Sequence, residues 1–307
     1  MKNDYYNSIN EKLLKNPIEI VYFAFPKCNG NCAHCWSSNM ELGSIVPLSK
    51  HKENLDALSL LKVSELKISG GEPFFNPNIG EIIEYARDRF KNSQITIFTS
   101  GRTFVSKKDE EEGIIETYNN LCNKIKNFNN ISLQMSADEY HADVLKRLNP
   151  KSEKSKEELL NIHVKNFVFA CKRIKKKYPK FEYYLKIHVN FNRLEYHKKL
   201  FQSWMSEKFW DEKVIKSEGL IKSGNASKLK DSIEIEESNQ WSLFVLPGVD
   251  FVEKAEEYLE KFQDFSDDRN LYLVKKPPES IVIAGWWNLI NRKAYYFRIS
   301  SIQKNIG

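Results

Sequence analysis

Short apolar, β-branched runs alternate with amphipathic segments over the first 222 residues of the chain. The runs at 18–25, 65–69, 94–99, 131–136, 183–190 and 214–221 predict six β-strands. Between them, apolar residues recur at helical spacing on three faces: Leu55, Leu58 and Leu61; Ile79, Ile82, Ile83, Ala86 and Phe90; and Val168, Cys171 and Ile174. Six such units in a row predict an α/β fold with a parallel sheet, either open or closed into a barrel.

Two of these strands carry one apolar and one polar face. In the fourth strand the polar positions are Ser132, Gln134 and Ser136, and in the fifth they are Tyr184, Lys186, His188 and Asn190. A sheet covered by helices on both faces reads apolar throughout, and a closed barrel fills its interior with apolar layers. We therefore expect a partial (β/α)6, TIM-like barrel whose polar interior lines a ligand-holding cavity.

The pattern changes after Gly224. Residues 243–246 predict a strand, residues 252–262 a helix, and residues 281–287 and 293–299 a hairpin. These elements predict a C-terminal α+β extension. We thus expect a partial barrel over residues 1–225 and an extension over residues 226–307 that covers the barrel or binds substrate.

The composition is that of an ordinary globular protein. Of 307 residues, 41% are apolar and 29% charged, and the formal net charge is +6. The sequence has neither an apolar run long enough for a membrane span nor an apolar signal segment at its start, so we expect a cytoplasmic protein. Three of the five cysteines fall within eight residues, which favours a metal site over disulfides.

These three cysteines, Cys28, Cys32 and Cys35, have the spacing C-x3-C-x2-C and follow the first predicted strand. Thiolates are soft ligands for zinc or for an iron–sulfur cluster. In a four-iron cluster, three thiolates leave one iron without a protein ligand, open for chemistry. The rival interpretation is a zinc site with His34 as fourth ligand. Cys122 and Cys171 lie on helical patterns and are predicted to be buried small hydrophobic residues.

A second motif, Ser69-Gly70-Gly71-Glu72-Pro73, ends the second predicted strand. Together with the cysteine spacing, it resembles the radical S-adenosylmethionine (radical SAM) superfamily. The resemblance implies one [4Fe-4S] cluster on Cys28, Cys32 and Cys35, with S-adenosyl-L-methionine chelating the fourth iron. It also implies reductive cleavage of that cofactor to methionine and a 5'-deoxyadenosyl radical, which abstracts a hydrogen atom.

The same resemblance assigns further cofactor contacts. His34 is expected near the adenine, and the loop of Ser69, Gly70, Gly71, Glu72 and Pro73 at the methionine amine. By strand order, weaker matches for ribose and adenine contacts are Ser136, Asp138, Asn190 and Ser223. Glu139 and His141, after the fourth strand, and His188, on the polar face of the fifth, are candidates for acting on substrate; for Asp138 a helix N-cap is equally expected.

The substrate is open at this stage. The stretch Ser136–His141 looks like peptide-modifying relatives and favours a peptide or natural-product substrate, with a reductant such as flavodoxin or ferredoxin. The excess of lysine and arginine over acidic residues weakly favours RNA or nucleotide modification instead. A non-enzymatic zinc or iron–sulfur binding module is the alternative of another class. Because no cysteine follows Cys171, a single cluster is expected.

Overall fold

The computed structural model describes residues 18–35, 45–59, 61–188, 215–218, 242–245, 271–276, 280–285 and 297–298. The chain divides into two compact units. The first comprises residues 1–26, 41–96 and 236–307, and the second comprises residues 27–40 and 97–235. The cysteine loop therefore belongs to the second unit and the glycine loop to the first.

The described elements alternate between strands and helices up to residue 188. In chain order they are β1 (Ile18–Phe25), α1 (Leu48–Leu58), β2 (Val63–Gly70), a 3-10 helix (Pro73–Phe75), α2 (Ile79–Arg89), β3 (Gln94–Thr99), α3 (Glu110–Lys124), β4 (Ile131–Ser136), α4 (Glu139–Leu148), α5 (Lys156–Lys177), β5 (Glu182–His188), β6 (Ile215–Glu218), β7 (Ser242–Val245), β8 (Leu271–Lys276), β9 (Ser280–Gly285) and β10 (Phe297–Arg298). None of the described helices combines the length and hydropathy that a membrane span needs.

Strand β1 is the central strand of the first unit. It pairs in parallel with β2 on one side and with β7 on the other, so that Ile20 lies opposite both Leu66 and Leu243. Every side chain from Glu19 to Phe25 is buried, as expected for a strand covered on both faces. The predicted apolar faces of α1 and α2 are confirmed, since Leu55, Leu58, Ile79, Ile82, Ile83 and Ala86 are all buried.

The second unit repeats this arrangement with β4, β5 and β6. These strands pair in parallel, and Leu185 of β5 lies opposite Met135 on one side and Ile215 on the other. Helix α5 begins with a capping box between Ser155 and Glu158, which satisfies the first backbone N–H groups of the helix.

Strand β3 contributes residues to both units. The hydrogen-bonded order is β7-β1-β2-β3 in the first unit and β3-β4-β5-β6 in the second. Because β6 and β7 each have one neighbour among the described strands, β1 to β7 form an open sheet and not a closed barrel, and β8 to β10 form a separate three-stranded sheet. The α/β fold predicted as an incomplete barrel is therefore confirmed.

The observed strand bounds agree best with the predicted ones where the apolar run is strongest. The described β1, β3 and β4 have the predicted bounds, and β9 and β10 pair antiparallel as the predicted hairpin requires. Strand β8 was not predicted, because two of the six residues of its sequence LYLVKK are lysines and its alternation is weak. Strand β7 was predicted as part of the extension, and the structure pairs it with β1. The division at residue 225 remains a prediction.

The polar face of β4 is enclosed. Ser132 and Gln134 are as buried as the apolar residues between them. Neither Ser132 Oγ nor Gln134 Oε1 has a hydrogen-bond partner among the described residues. Since buried polar atoms almost always have a hydrogen-bond partner, we expect Ser132 Oγ and Gln134 Oε1 to contact a bound water or ligand.

Candidate active site

The cysteine loop directly follows β1. Cys28 is exposed, Cys32 is buried, and Cys35 is intermediate. A turn closed by the Cys35 N–H, which donates to the Cys32 carbonyl at 3.1 Å, holds the second and third cysteines together. The backbone N–H of Gly30 donates to Cys28 Sγ at 3.3 Å. Local backbone bonds thus shape the loop around its sulfur atoms.

Gly30 allows the sulfur atoms to approach each other. A Cβ atom at this position would lie 3.2 Å from both Cys28 Sγ and Cys32 Sγ, and 2.8 Å from Arg102 Nη2. The two sulfurs therefore flank one point, and a side chain there would separate them. The next residue, Asn31, has a φ of 42°, a left-handed conformation that asparagine tolerates better than most residues. The loop therefore curls so that the sulfurs of Cys28 and Cys32 lie on either side of Gly30.

Arg102 contacts this loop, and sequence reasoning did not identify it. Its Nη2 donates to Cys28 Sγ at 3.2 Å, its Nη1 to Asn29 Oδ1 at 2.7 Å, and its Nε to Ser100 Oγ at 2.8 Å. Arg147 Nη2 also donates to the Gly30 carbonyl. The position of Arg102 in the sequence could have identified it as a site residue. Ser100-Gly101-Arg102 directly follows β3, and binding sites of parallel sheets lie at the carboxyl ends of the strands.

Asp138 is the centre of a buried polar cluster after β4. Its Oδ1 accepts from the backbone N–H of His141 at 3.1 Å, so the carboxylate is the N-cap of α4. The same oxygen lies 2.7 Å from His141 Nδ1, and Oδ2 lies 3.6 Å from His34 Nε2. The ring of His34 stacks on Tyr140 at 4.6 Å between centroids. Asp138 therefore acts as a helix cap and as the partner of two histidines.

His141 is positively charged in this setting. Burial lowers its pKa, but the negative charge of Asp138, the hydrogen bond to Asp138 and a hydrogen bond to Cys32 together raise the pKa to about 10. His141 thus joins Asp138 to the second cysteine of the loop. Ligand atoms of His34, Asp138 and His141 lie within 4.8 Å of one another, a spacing that one metal ion could bridge. The charged His141–Asp138 pair accounts for that spacing without an ion.

The glycine loop is shaped by close backbone approach within the first unit. Gly70 has a φ of 130°, and a Cβ atom there would lie 2.3 Å from the carbonyl oxygen of Phe25. The Gly71 N–H donates to that same oxygen at 2.8 Å. Glu72 is buried, and its carboxylate accepts from Phe74 N at 3.3 Å, which caps the 3-10 helix beginning at Pro73.

The remaining predicted residues are placed as follows. Ser69 lies opposite Phe23 in the β1–β2 register, and Ser136 lies opposite Lys186 in the β4–β5 register. Glu139 is the first residue of α4. His188 ends β5, but its side chain lies outside the described part, as do Asn190 and Ser223.

Cys122 lies on α3 and Cys171 lies on α5. Cys171 is fully buried in α5, and burial raises the pKa of its thiol, which disfavours the thiolate that a metal requires. Cys122 is only partly buried in α3. For Cys171 the predicted burial is confirmed.

The chemistry of the donor set fits an iron–sulfur cluster. Three thiols come from one loop, two of their sulfurs flank the same point, and N–H donors reach Cys28 Sγ. Hydrogen bonds to the ligand sulfurs are a usual feature of such clusters. The family model described as the radical SAM superfamily matches residues 22–197, more than half of the chain and all three cysteines. The chain belongs to the radical SAM superfamily.

One curated relative is the antilisterial bacteriocin subtilosin biosynthesis protein AlbA from Bacillus subtilis (strain 168). It is 32% identical over 103 residues, which cover 33% of this chain and 22% of AlbA. The match thus spans about a fifth of the length of this relative.

Solved structures with similarity to this chain have low sequence identity. Streptococcus suis SuiB is 15% identical with a TM-score of 0.37, over 82% of this chain and 65% of SuiB. The structure of anSMEcpe with bound AdoMet and the Kp18Cys peptide is 16% identical with a TM-score of 0.41, over 71% of this chain and 56% of that one.

Proposed function

We propose that this radical SAM chain is an enzyme that binds one [4Fe-4S] cluster through Cys28, Cys32 and Cys35 and uses S-adenosyl-L-methionine. The observation that carries the proposal is the convergence of the Cys28 and Cys32 sulfurs on Gly30, in a loop that supplies three thiols. When bound, the cluster supplies the electron that cleaves S-adenosyl-L-methionine to methionine and a 5'-deoxyadenosyl radical.

The chain's own residues bind and orient that cofactor. Ser69, Gly70, Gly71, Glu72 and Pro73 form the loop that holds the methionine end, and the absence of a side chain at Gly71 leaves its backbone open to close approach. His34 provides an aromatic face for the adenine. Further polar contacts to ribose and adenine come from Ser136, Asp138, Asn190 and Ser223.

The proposed substrate is a peptide. The relationship to AlbA, named for the biosynthesis of a bacteriocin, supports this substrate class. Glu139, His141 and His188 are the residues proposed to act on it. Because His141 is paired with the buried Asp138, it is held in one orientation and can donate a hydrogen bond or a proton. We place the enzyme in the cytoplasm, with a flavodoxin or ferredoxin as electron donor.

Cofactor cleavage tests the reaction class. Anaerobically reconstituted protein is given S-adenosyl-L-methionine and dithionite, and 5'-deoxyadenosine is quantified by chromatography. We expect product from the wild type and from the matched control Cys122→Ala, and none from Cys32→Ala, which should also lose the cluster. Normal iron and sulfide content in Cys32→Ala would contradict the ligand assignment.

Metal and RNA binding separate the alternatives. One zinc per chain, with no iron and no acid-labile sulfide, would favour the non-enzymatic module. An affinity for RNA that falls steeply with salt, as counterion release requires, would favour nucleic-acid modification over a peptide. Stimulation of 5'-deoxyadenosine formation by an added peptide would support the peptide substrate.

A further inference from the structure

Arg102 is held in place on three sides next to the first cysteine of the loop. Its Nε, Nη1 and Nη2 atoms donate to Ser100 Oγ, Asn29 Oδ1 and Cys28 Sγ, respectively. A guanidinium is planar and presents its donors in a fixed fork, so three simultaneous bonds fix both its position and its orientation. The contact with Cys28 is therefore set by the protein.

The turn that carries Arg102 is itself held by hydrogen bonds and close packing. His163 Nε2 of α5 lies 2.9 Å from the Ser100 carbonyl oxygen, and the Gly101 N–H donates to Thr99 Oγ1 at 2.9 Å. Gly101 has a φ of 75°, and a Cβ atom there would lie 2.6 Å from Met135 Sδ and 2.9 Å from His163 Nε2. Strand β3, β4 and α5 together thus fix the turn from which the guanidinium extends.

Among the residues that the structure describes, Cys28 receives two N–H donors, one from Gly30 N at 3.3 Å and one from Arg102 Nη2 at 3.2 Å. Of these two, only Arg102 carries a charge, and a guanidinium stays protonated in proteins. A cluster on three thiolates becomes more negative by one charge when it takes up an electron. A fixed positive charge and hydrogen bond at a ligand sulfur stabilise that reduced state, because both interactions strengthen as negative charge accumulates on sulfur.

We propose that Arg102 is a positioning residue that raises the reduction potential of the cluster by donating a hydrogen bond to the Cys28 thiolate. This inference rests on the proposed function, since it requires the cluster on Cys28, Cys32 and Cys35. The step involves one electron, taken up by the cluster from an external one-electron reductant. No proton moves at Arg102.

The test is an anaerobic redox titration of the reconstituted cluster with dithionite, followed by electron paramagnetic resonance. At the potential where wild type is half reduced, we expect the ratio of reduced to oxidised cluster in Arg102→Gln to fall about tenfold. For a one-electron couple this is a shift of 59 mV to more negative potential. Arg102→Lys, which keeps the charge and loses the fork, should fall between the two.

Arg173→Gln is the matched control. It removes the same charge from the same unit, but Arg173 pairs with Glu111 on the exposed surface. We expect its cluster to titrate as wild type. An Arg102→Gln variant with full iron and sulfide and a wild-type potential would overturn the proposal, as would an equal shift in Arg173→Gln.

A second variant tests the proposal if Arg102→Gln fails to bind the cluster. Ser100→Ala removes the acceptor of Arg102 Nε and leaves the guanidinium present. Its potential should shift in the same direction by a smaller amount, and an unchanged potential would overturn the proposal. Wild-type protein that binds no iron and sulfide would instead overturn the proposed function, and this inference with it.

Discussion

Asp138 Oδ1 lies 2.7 Å from Nδ1 of His141, and the same carboxylate oxygen accepts the backbone N–H of that residue. One buried side chain thus starts α4 and pairs with a charged imidazole. The hydrogen bond between His141 and Cys32, which contributes to the raised pKa of His141, connects the start of the helix to the cysteine loop. Because Asp138 and His141 are both buried, the stability of the folded protein depends on this pair remaining intact.

Replacing Asp138 should separate its two roles. We expect Asp138→Ala to lower the free energy of unfolding by about 3 kcal/mol or more, since it removes a helix cap and leaves a buried charge without its partner. Asp138→Asn should cost about 1 kcal/mol less than Asp138→Ala, because asparagine caps helices as well as aspartate but still leaves His141 without its negative partner. Urea denaturation measures both. Asp143→Ala, in the same helix with an exposed side chain, is the control and should leave stability unchanged.

The buried His51 should make the protein less stable in mild acid. Asn76 Nδ2 can only donate and lies 3.3 Å from His51 Nε2, so His51 Nδ1 carries the proton and donates to Tyr22 Oη at 2.7 Å. A second proton would have no acceptor, and burial lowers the pKa of His51 to about 4 from an ordinary 6.5. The unfolded chain therefore binds more protons between pH 4 and 6.5, and stability falls as pH decreases through that window.

From pH 7 to pH 5, His51 alone should reduce the free energy of unfolding by about 2 kcal/mol. Urea denaturation of wild type and of His51→Gln at both pH values measures it. Carboxylates titrate in both proteins, so the smaller pH dependence expected of the variant isolates the histidine. Equal pH dependence in the two proteins would show that His51 is protonated in the folded state.

Gly70 should not tolerate any side chain. At a φ of 130°, a Cβ atom would lie 2.3 Å from the Phe25 carbonyl oxygen, which is backbone and cannot rotate away. We expect Gly70→Ala to lower the free energy of unfolding by about 2 kcal/mol or more. Gly80→Ala, the same change in the first turn of α2, should be neutral or stabilising, since alanine favours helix. Thermal unfolding compares the two, and equal melting temperatures would refute the expected clash.

Gly71 should affect the cofactor more than the cluster. We expect Gly71→Val to weaken the binding of S-adenosyl-L-methionine at least tenfold, because a side chain there blocks close approach to the backbone, while iron and sulfide content stays at the wild-type level. Anaerobic equilibrium dialysis with labelled cofactor provides the dissociation constant, and Gly80→Ala is again the control. Unchanged affinity would argue against the role assigned to this loop.

Much of the scaffold could be predicted from the sequence because strand and helix periodicities are local. The bounds of β1, β3 and β4 followed from their apolar runs. The short β8 was missed because its six residues carry two lysines and only a weak alternation. The position of β7 beside β1 could not be predicted either, since pairing between segments more than 200 residues apart depends on crossover connections, which leave no local pattern.

The sequence by itself determined the chemistry of the loop: three thiols at fixed spacing, and a glycine motif at the end of the second strand. Within each of these two motifs the residues lie close together in sequence, so the geometry of the chain itself brings them near one another. Only the tertiary structure decided that Arg102, 74 residues from Cys28, donates to its sulfur, and that Asp138 joins His34 to His141. These contacts depend on how parallel strands bring their carboxyl ends together, and a shift of one residue in register would point their side chains elsewhere.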